Sequence, residues 1–179
     1  MSLTLFDIFY ATVIVFFIVN EIFQRRLGVP PTPSSPRLRR AMIELLDVRP
    51  GETIIELGSG WGGLAVRLAR KHPEAHIVGL EMSLFPYMVA RGRLMLHPGL
   101  KNLVFLRQDF FKYYFSNTDG VACYLTYSLM AKLREKFLQE LPAGSRIVSS
   151  TFPVPDWPVE KEVPVQGLWS TRVFLYRKT

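Results

Sequence analysis

The stretch Thr53-Ile54-Ile55-Glu56-Leu57-Gly58-Ser59-Gly60-Trp61-Gly62-Gly63 constrains this chain more than any other. A short apolar run ends in an acid, breaks into glycines, and re-enters a helical spacing at Leu64, Ala65, Leu68 and Ala69. That order spells strand, tight loop and helix, a unit whose loop can wrap a nucleotide-like ligand. Glycines suit such a loop because they tolerate positive φ and let another group approach the backbone. The segment fits two patterns. Gly58, Gly60 and Gly63 make G-x-G-x-x-G, the dinucleotide fingerprint. Glu56 with Gly58, Gly60 and Gly62 makes E-x-G-x-G-x-G.

The same strand–helix alternation runs through the rest of the chain. Ser35 is placed to cap a helix with Pro36 at its first position. Leu38, Ala41, Met42, Leu45 and Leu46 then form its apolar stripe. After the glycine loop come a strand over His76–Leu80, a helix over Leu84–Met95 and a strand over Leu103–Leu106. A strand over Val121–Leu125 follows, then a helix carrying Leu129, Leu133, Phe137 and Leu141, and a strand over Arg146–Ser150. Val159–Val165 and Thr171–Arg177 read as two final strands. This alternation implies an α/β fold with a mostly parallel sheet, helices on both faces and an antiparallel edge.

Residues from Leu3 to Phe23 are almost continuously apolar, enough helix to span the roughly 30 Å of a bilayer core. No Lys or Arg precedes the stretch, which argues against a cleavable signal. Arg25, Arg26, Arg37, Arg39 and Arg40 follow it. The sequence therefore predicts an anchor helix at 1–24, a proline-rich linker at 25–36 and a globular domain at 37–179. It also predicts a single-pass membrane protein with that domain on the cytoplasmic side, or the matrix side in a mitochondrion. Within the linker, Thr32 offers a hydroxyl to a segment able to fold over a ligand.

The chain has 179 residues, room for one domain with a sizeable core. Its net charge of +7 suits an anionic membrane surface, an acidic protein or nucleic acid. Cys123 is the single cysteine, which excludes an internal disulfide. His72, His76 and His97 lack metal-ligand spacing, and no metal site is expected.

In open parallel sheets ligands bind at the carboxyl ends of the strands, so the polar residues there carry the functional information. Glu56 ends the first strand, Glu81 the second and Asp109 the third. Glu81 lies about twenty residues beyond the loop, where an acid accepts hydrogen bonds from ribose hydroxyls. That role suits NAD and S-adenosylmethionine (SAM) equally. Glu56 favours SAM, because a buried negative charge matches an ammonium and a sulfonium better than a pyrophosphate. Asp109 is positioned to accept from an adenine amino group. A dehydrogenase would also usually need a second, substrate-binding domain.

Six segments occur in order: Val29-Pro30-Pro31-Thr32-Pro33, the loop Glu56–Gly63, Glu81, Gln108-Asp109-Phe110-Phe111, Tyr124-Leu125-Thr126-Tyr127 and Gly144–Ser149. On these the chain resembles the small, membrane-anchored class I SAM-dependent methyltransferases related to the lysine N-methyltransferases of the ATP synthase c-subunit and the adenine nucleotide translocase. The resemblance implies a Rossmann-like seven-stranded sheet with the last strand antiparallel, SAM as methyl donor, and a lysine in a membrane-associated protein as acceptor. Cofactor contacts are expected from Thr32, Glu56, Gly58, Ser59, Gly60, Gly62, Glu81, Met82, Asp109 and Phe110. Tyr124, Thr126 and Tyr127 are the candidate acceptor-site residues, offering hydroxyls or an aromatic wall for an ammonium-like group. Two positions depart from the related sequences, which tend to carry Asp in place of Glu56 and proline in place of Tyr127. Trp157 and Trp169 are candidates either to line an acceptor channel or to cover the sheet edge, and Trp61 to pack on cofactor or helix. No nucleic-acid partner is expected. A methyltransferase for a lipid or other hydrophobic small molecule, and a non-catalytic SAM-binding module, are the alternative functions.

Overall fold

The computed structural model describes Thr4, Phe6, Asp7, Tyr10, Ile14, residues 34–166 and residues 171–179. The chain divides into two compact units, residues 1–31 and 32–179. In the first, Phe6, Asp7, Tyr10 and Ile14 are helical. The Asp7 carboxylate accepts from the Thr4 N–H at 2.9 Å, and the Thr4 hydroxyl accepts from the Asp7 N–H at 3.3 Å. This reciprocal pair satisfies two donors that a helix start otherwise leaves open.

The expected membrane span does not survive. Among the described residues no helix is long and apolar enough to cross a membrane. Apolar composition is only half of that requirement; the other half is a continuous helix of about 20 residues. The longest helix among the described residues, Tyr127–Glu140, has 14. This overturns the single-pass membrane localisation and the transmembrane helix expected at 1–24. Most of that segment, and residues 25–33 of the linker with Thr32 among them, lie outside the described residues.

The second unit is built on a seven-stranded sheet of order β3-β2-β1-β4-β5-β7-β6. The strands are β1 Thr53–Leu57, β2 His76–Leu80, β3 Leu103–Leu106, β4 Gly120–Cys123, β5 Arg146–Ser150, β6 Lys161–Val165 and β7 Thr171–Arg177. β1 to β5 pair in parallel, while β7 runs antiparallel to both β5 and β6. The expected antiparallel strand is present, but it lies inside the sheet and β6 forms the edge. The order reverses between β1 and β4, and that switch point opens the crevice where ligands bind in such sheets.

Four helices cover the sheet: α1 Pro36–Leu46, α2 Gly63–Lys71, α3 Leu84–Met95 and α4 Tyr127–Glu140. The α1 start follows the local chemistry, with the Ser35 hydroxyl accepting from the Leu38 N–H at 3.2 Å and Pro36 at the first position. Met42, Leu46, Leu64, Leu68 and Ala90, from α1, α2 and α3, form one core with Ile54, Phe105 and Val148 of the sheet. On the opposite face α4 places Met130 against Cys123, 3.7 Å between sulfurs, and Phe137 against Phe115, 5.8 Å between rings. Burial pushes the Cys123 thiol up to about 12, so it is an inert core residue. The central strands β4 and β5 are buried along their whole length between these two cores.

Candidate functional site

The parallel register brings the three strand-end acids to one edge. Glu56 stands one residue before the end of β1, paired with Gly79 of β2 and Ala122 of β4. Glu81 follows β2 directly, and Asp109 lies shortly beyond β3. Backbone hydrogen bonds stitch this edge together. The Ser59 N–H donates to Leu80 O at 2.9 Å, Glu81 N–H to Leu106 O at 3.1 Å, and Gln108 N–H to Glu81 O at 3.2 Å.

Glu81 shapes the loop as well as the edge. Its two carboxylate oxygens accept from the Gly60 and Ser83 N–H groups, each at 2.8 Å. Both oxygens are thereby aimed, and each retains a lone pair for a further donor. Asp109 caps the short 3-10 turn Phe110–Lys112 by accepting from the Phe111 N–H at 2.9 Å. The second Asp109 oxygen is the one left for an outside donor. Met82 and Phe110 sit half-buried beside these acids.

Glu56 is the most perturbed group on this edge. It is 8% exposed, and its carboxylate accepts from the Ala65 N–H at 2.9 Å, in the first turn of α2. Burial pushes its pKa up to about 8; the Ala65 hydrogen bond opposes this, the Glu81 charge adds to it, and the Arg39 charge opposes it. A buried carboxylate with so little compensation is a ready partner for a cation.

The loop glycines divide by function. Gly60 has φ +52°, and among the described residues a Cβ built there meets nothing nearer than Gly58 O at 4.0 Å. Its outer face is open. Gly62, at φ +73°, is closed, because a Cβ would overlap the Phe105 ring and lie 3.2 Å from the Ala90 Cβ. Gly79 answers it from below, where a Cβ would lie 2.5 Å from Phe105 Cδ1. Phe105 is thus a keystone under the loop, a role visible only once β1, β2 and β3 are paired. Between these glycines Ser59 is 5% exposed, and its hydroxyl has no hydrogen-bond partner among the described residues. An orphaned buried hydroxyl, an open glycine face, a buried acid and a carboxylate with both oxygens aimed suit a ligand carrying an ammonium, a carboxylate and a ribose. SAM carries all three.

The candidate acceptor residues follow β4. Tyr124 is half-buried against the core, and Thr126 is the N-cap residue of α4, its hydroxyl 3.2 Å from that of Ser128. Tyr127 opens α4 and is 55% exposed. All three therefore stand at the carboxyl edge, one strand away from Glu56. Trp61 is 51% exposed on the loop. Trp157 does not reach this edge. Its indole donates to Arg177 O at 3.3 Å, and Arg177 pairs with Arg146, the first residue of β5, at the amino edge. Trp157 covers the sheet end, and Trp169 lies outside the described residues. No group of residues able to hold a metal is found among the described residues.

A profile of the ANTKMT methyltransferase domain matches residues 56–161, from Glu56 to the start of β6. The chain belongs to that family. Adenine nucleotide translocase lysine N-methyltransferase of Mus musculus is 32% identical over 157 residues, 84% of this chain and 64% of that one. The ATP synthase c-subunit lysine N-methyltransferase of Xenopus laevis is 26% identical over 133 residues, 74% of this chain and 58% of that one. The chain thus spans about six-tenths of the length of these curated relatives. Among solved structures, an RNA methyltransferase from Salinibacter ruber in complex with S-adenosyl-L-homocysteine superposes with a TM-score of 0.76. It is 28% identical, with 82% of this chain and 93% of that one covered. The expected class I methyltransferase identity and its cofactor, SAM, are borne out by this family membership and this neighbour. The membership also assigns the seven-stranded topology, with its reversed strand beside β5, to the methyltransferase fold.

Proposed function

We propose that the chain is a SAM-dependent protein-lysine N-methyltransferase acting on a membrane-associated protein. One observation carries the reading: Glu56, Glu81 and Asp109, all within the residues matched to the ANTKMT methyltransferase domain, lie on the carboxyl edge beside the switch point. The lysine acceptor is supported by the mouse and frog relatives, both named as lysine N-methyltransferases.

Within this reading Glu81 takes the ribose hydroxyls, Asp109 the adenine amino group and Glu56 the ammonium, with Gly58, Ser59, Gly60, Gly62, Met82 and Phe110 completing the cradle. Thr32 belongs to the same proposal, as a hydroxyl from the segment before α1. Bound SAM supplies an electrophilic methyl group on sulfur; the remaining demands fall on the chain. Methyl transfer is an in-line displacement, so the edge must hold the acceptor amine in a near-attack geometry and exclude water. A lysine attacks only as the neutral amine, and burial lowers its pKa toward that form. Tyr124, Thr126 and Tyr127 stand where that amine would enter, with hydroxyls to accept its hydrogens and rings to face its cationic form.

The test is transfer of labelled methyl from SAM into a membrane extract, resolved into protein, lipid and RNA fractions. Methyl-lysine recovered by hydrolysing the protein fraction is the expected result. Label confined to lipid or RNA refutes the lysine assignment. SAM binding with no label in any fraction identifies a non-catalytic module.

A further inference from the structure

Gly63 departs from its neighbours in the loop. Gly58, Gly60 and Gly62 all have positive φ, whereas Gly63 opens α2 with an ordinary helical backbone. Conformational freedom therefore does not explain a glycine there, and alanine would normally serve a helix better. Space explains it. A Cβ on Gly63 would lie 2.5 Å from Arg39 Nη1 and 3.2 Å from Arg39 Cζ, with Arg93 Nη1 at 3.6 Å. The missing side chain admits the Arg39 guanidinium onto the first turn of α2.

That placement is electrostatically costly as it stands. The N-terminus of a helix is its positive end. Arg39 is half-buried there, and its Nε donates to Ser34 O at 2.9 Å. Burial, then the charges of Arg67 and Arg93, pull its pKa below that of an ordinary arginine, and Glu56 opposes them. Two guanidiniums, of Arg39 and Arg93, thus meet at the positive end of α2, and the buried Glu56 is the acid that acts on Arg39. An anion in the same place would relieve the cluster, and Arg39 offers it a planar fork of donors.

Resting on the cofactor reading above, we propose that Arg39 binds the α-carboxylate of the cofactor's amino-acid moiety. Arg39 and Glu56 then form a matched pair for a zwitterion, the carboxylate side chain taking the ammonium and the guanidinium the carboxylate. Arg39 adds a cofactor-binding residue from α1, a helix outside the 56–161 match. Gly63 belongs to the device because its missing Cβ leaves the space that the Arg39 guanidinium occupies.

Isothermal calorimetry with two ligands tests this: S-adenosylhomocysteine, and its decarboxylated counterpart, which keeps the adenosine, thioether and amine. Arg39→Ala is expected to weaken S-adenosylhomocysteine about 10- to 100-fold, the range of a charge-assisted hydrogen bond, and to leave the decarboxylated ligand unchanged. Gly63→Ala should reproduce that selective loss by displacing the guanidinium, without lowering the melting temperature. Arg39→Lys should restore part of the lost affinity. Equal weakening of both ligands would make Arg39 a structural residue, and unchanged affinity for both would remove it from the site; either overturns the proposal. Failure of the unmodified chain to bind S-adenosylhomocysteine at all would instead sink the cofactor reading, and the clamp with it.

Discussion

Replacing Glu56 with glutamine should stabilise the fold while weakening the cofactor. Glu56 titrates near 8 in the folded chain, against an ordinary value of 4.5. Between those values the folded state holds a proton that the unfolded state has released. Stability therefore falls as pH rises from about 4.5 to about 8, at up to about 1.4 kcal/mol per unit. By pH 7 the accumulated penalty is on the order of 3 kcal/mol. The glutamine amide oxygen can still accept from the Ala65 N–H, so the variant removes the titration without removing the hydrogen bond. Glu56→Gln should match the unmodified chain near pH 4.5 and melt higher by roughly 6–12 °C near pH 7, at about 2–4 °C per kcal/mol. S-adenosylhomocysteine binding should weaken at the same time, the stability–function trade-off expected of a strained site. Thermal melts across pH 4.5–8 with paired calorimetry measure both. A variant whose melting curve runs parallel to the unmodified chain would refute the buried, proton-retaining Glu56.

The two loop glycines should fail differently. Gly62→Ala should cost about 3 kcal/mol or more in denaturant unfolding, since a Cβ at φ +73° overlaps the Phe105 ring. Gly60→Ala should cost only about 1 kcal/mol but lose cofactor affinity, because its Cβ enters open space at the cradle. Trp157→Ala, at the opposite end of the sheet, should cost about 3 kcal/mol while leaving the KM for the acceptor unchanged.

The framework was legible because several elements carry unambiguous marks. β2, β3, α3 and β5 occupy the predicted ranges. β4 runs Gly120–Cys123, starting one residue before the expected Val121 and ending two before Leu125. A glycine reads as a breaker, yet here a Cβ would lie 2.7 Å from Ile54 Cδ1 and 3.2 Å from Leu46 Cδ2, so the strand needs glycine for packing. The edge acids were legible for the same topological reason as the sheet. Arg39 was not, since within Arg37–Arg40 it looks like any member of a solvated basic run, and only the packing of α1 against α2 singles it out. The Phe105 keystone and the position of Trp157 likewise depend on which strands are neighbours. The span expected at 3–23 rested on hydropathy alone, and among the described residues no helix is long and apolar enough to cross a membrane.

The most direct measurement is tandem mass spectrometry of candidate substrate proteins after reaction with deuterated-methyl SAM, comparing the unmodified chain with Glu81→Ala. Deuterated methyl groups are expected on lysine side chains with the unmodified chain, and their loss with Glu81→Ala together with loss of SAM binding. Methylation absent from lysine in both, or undiminished by Glu81→Ala, would contradict the proposed function.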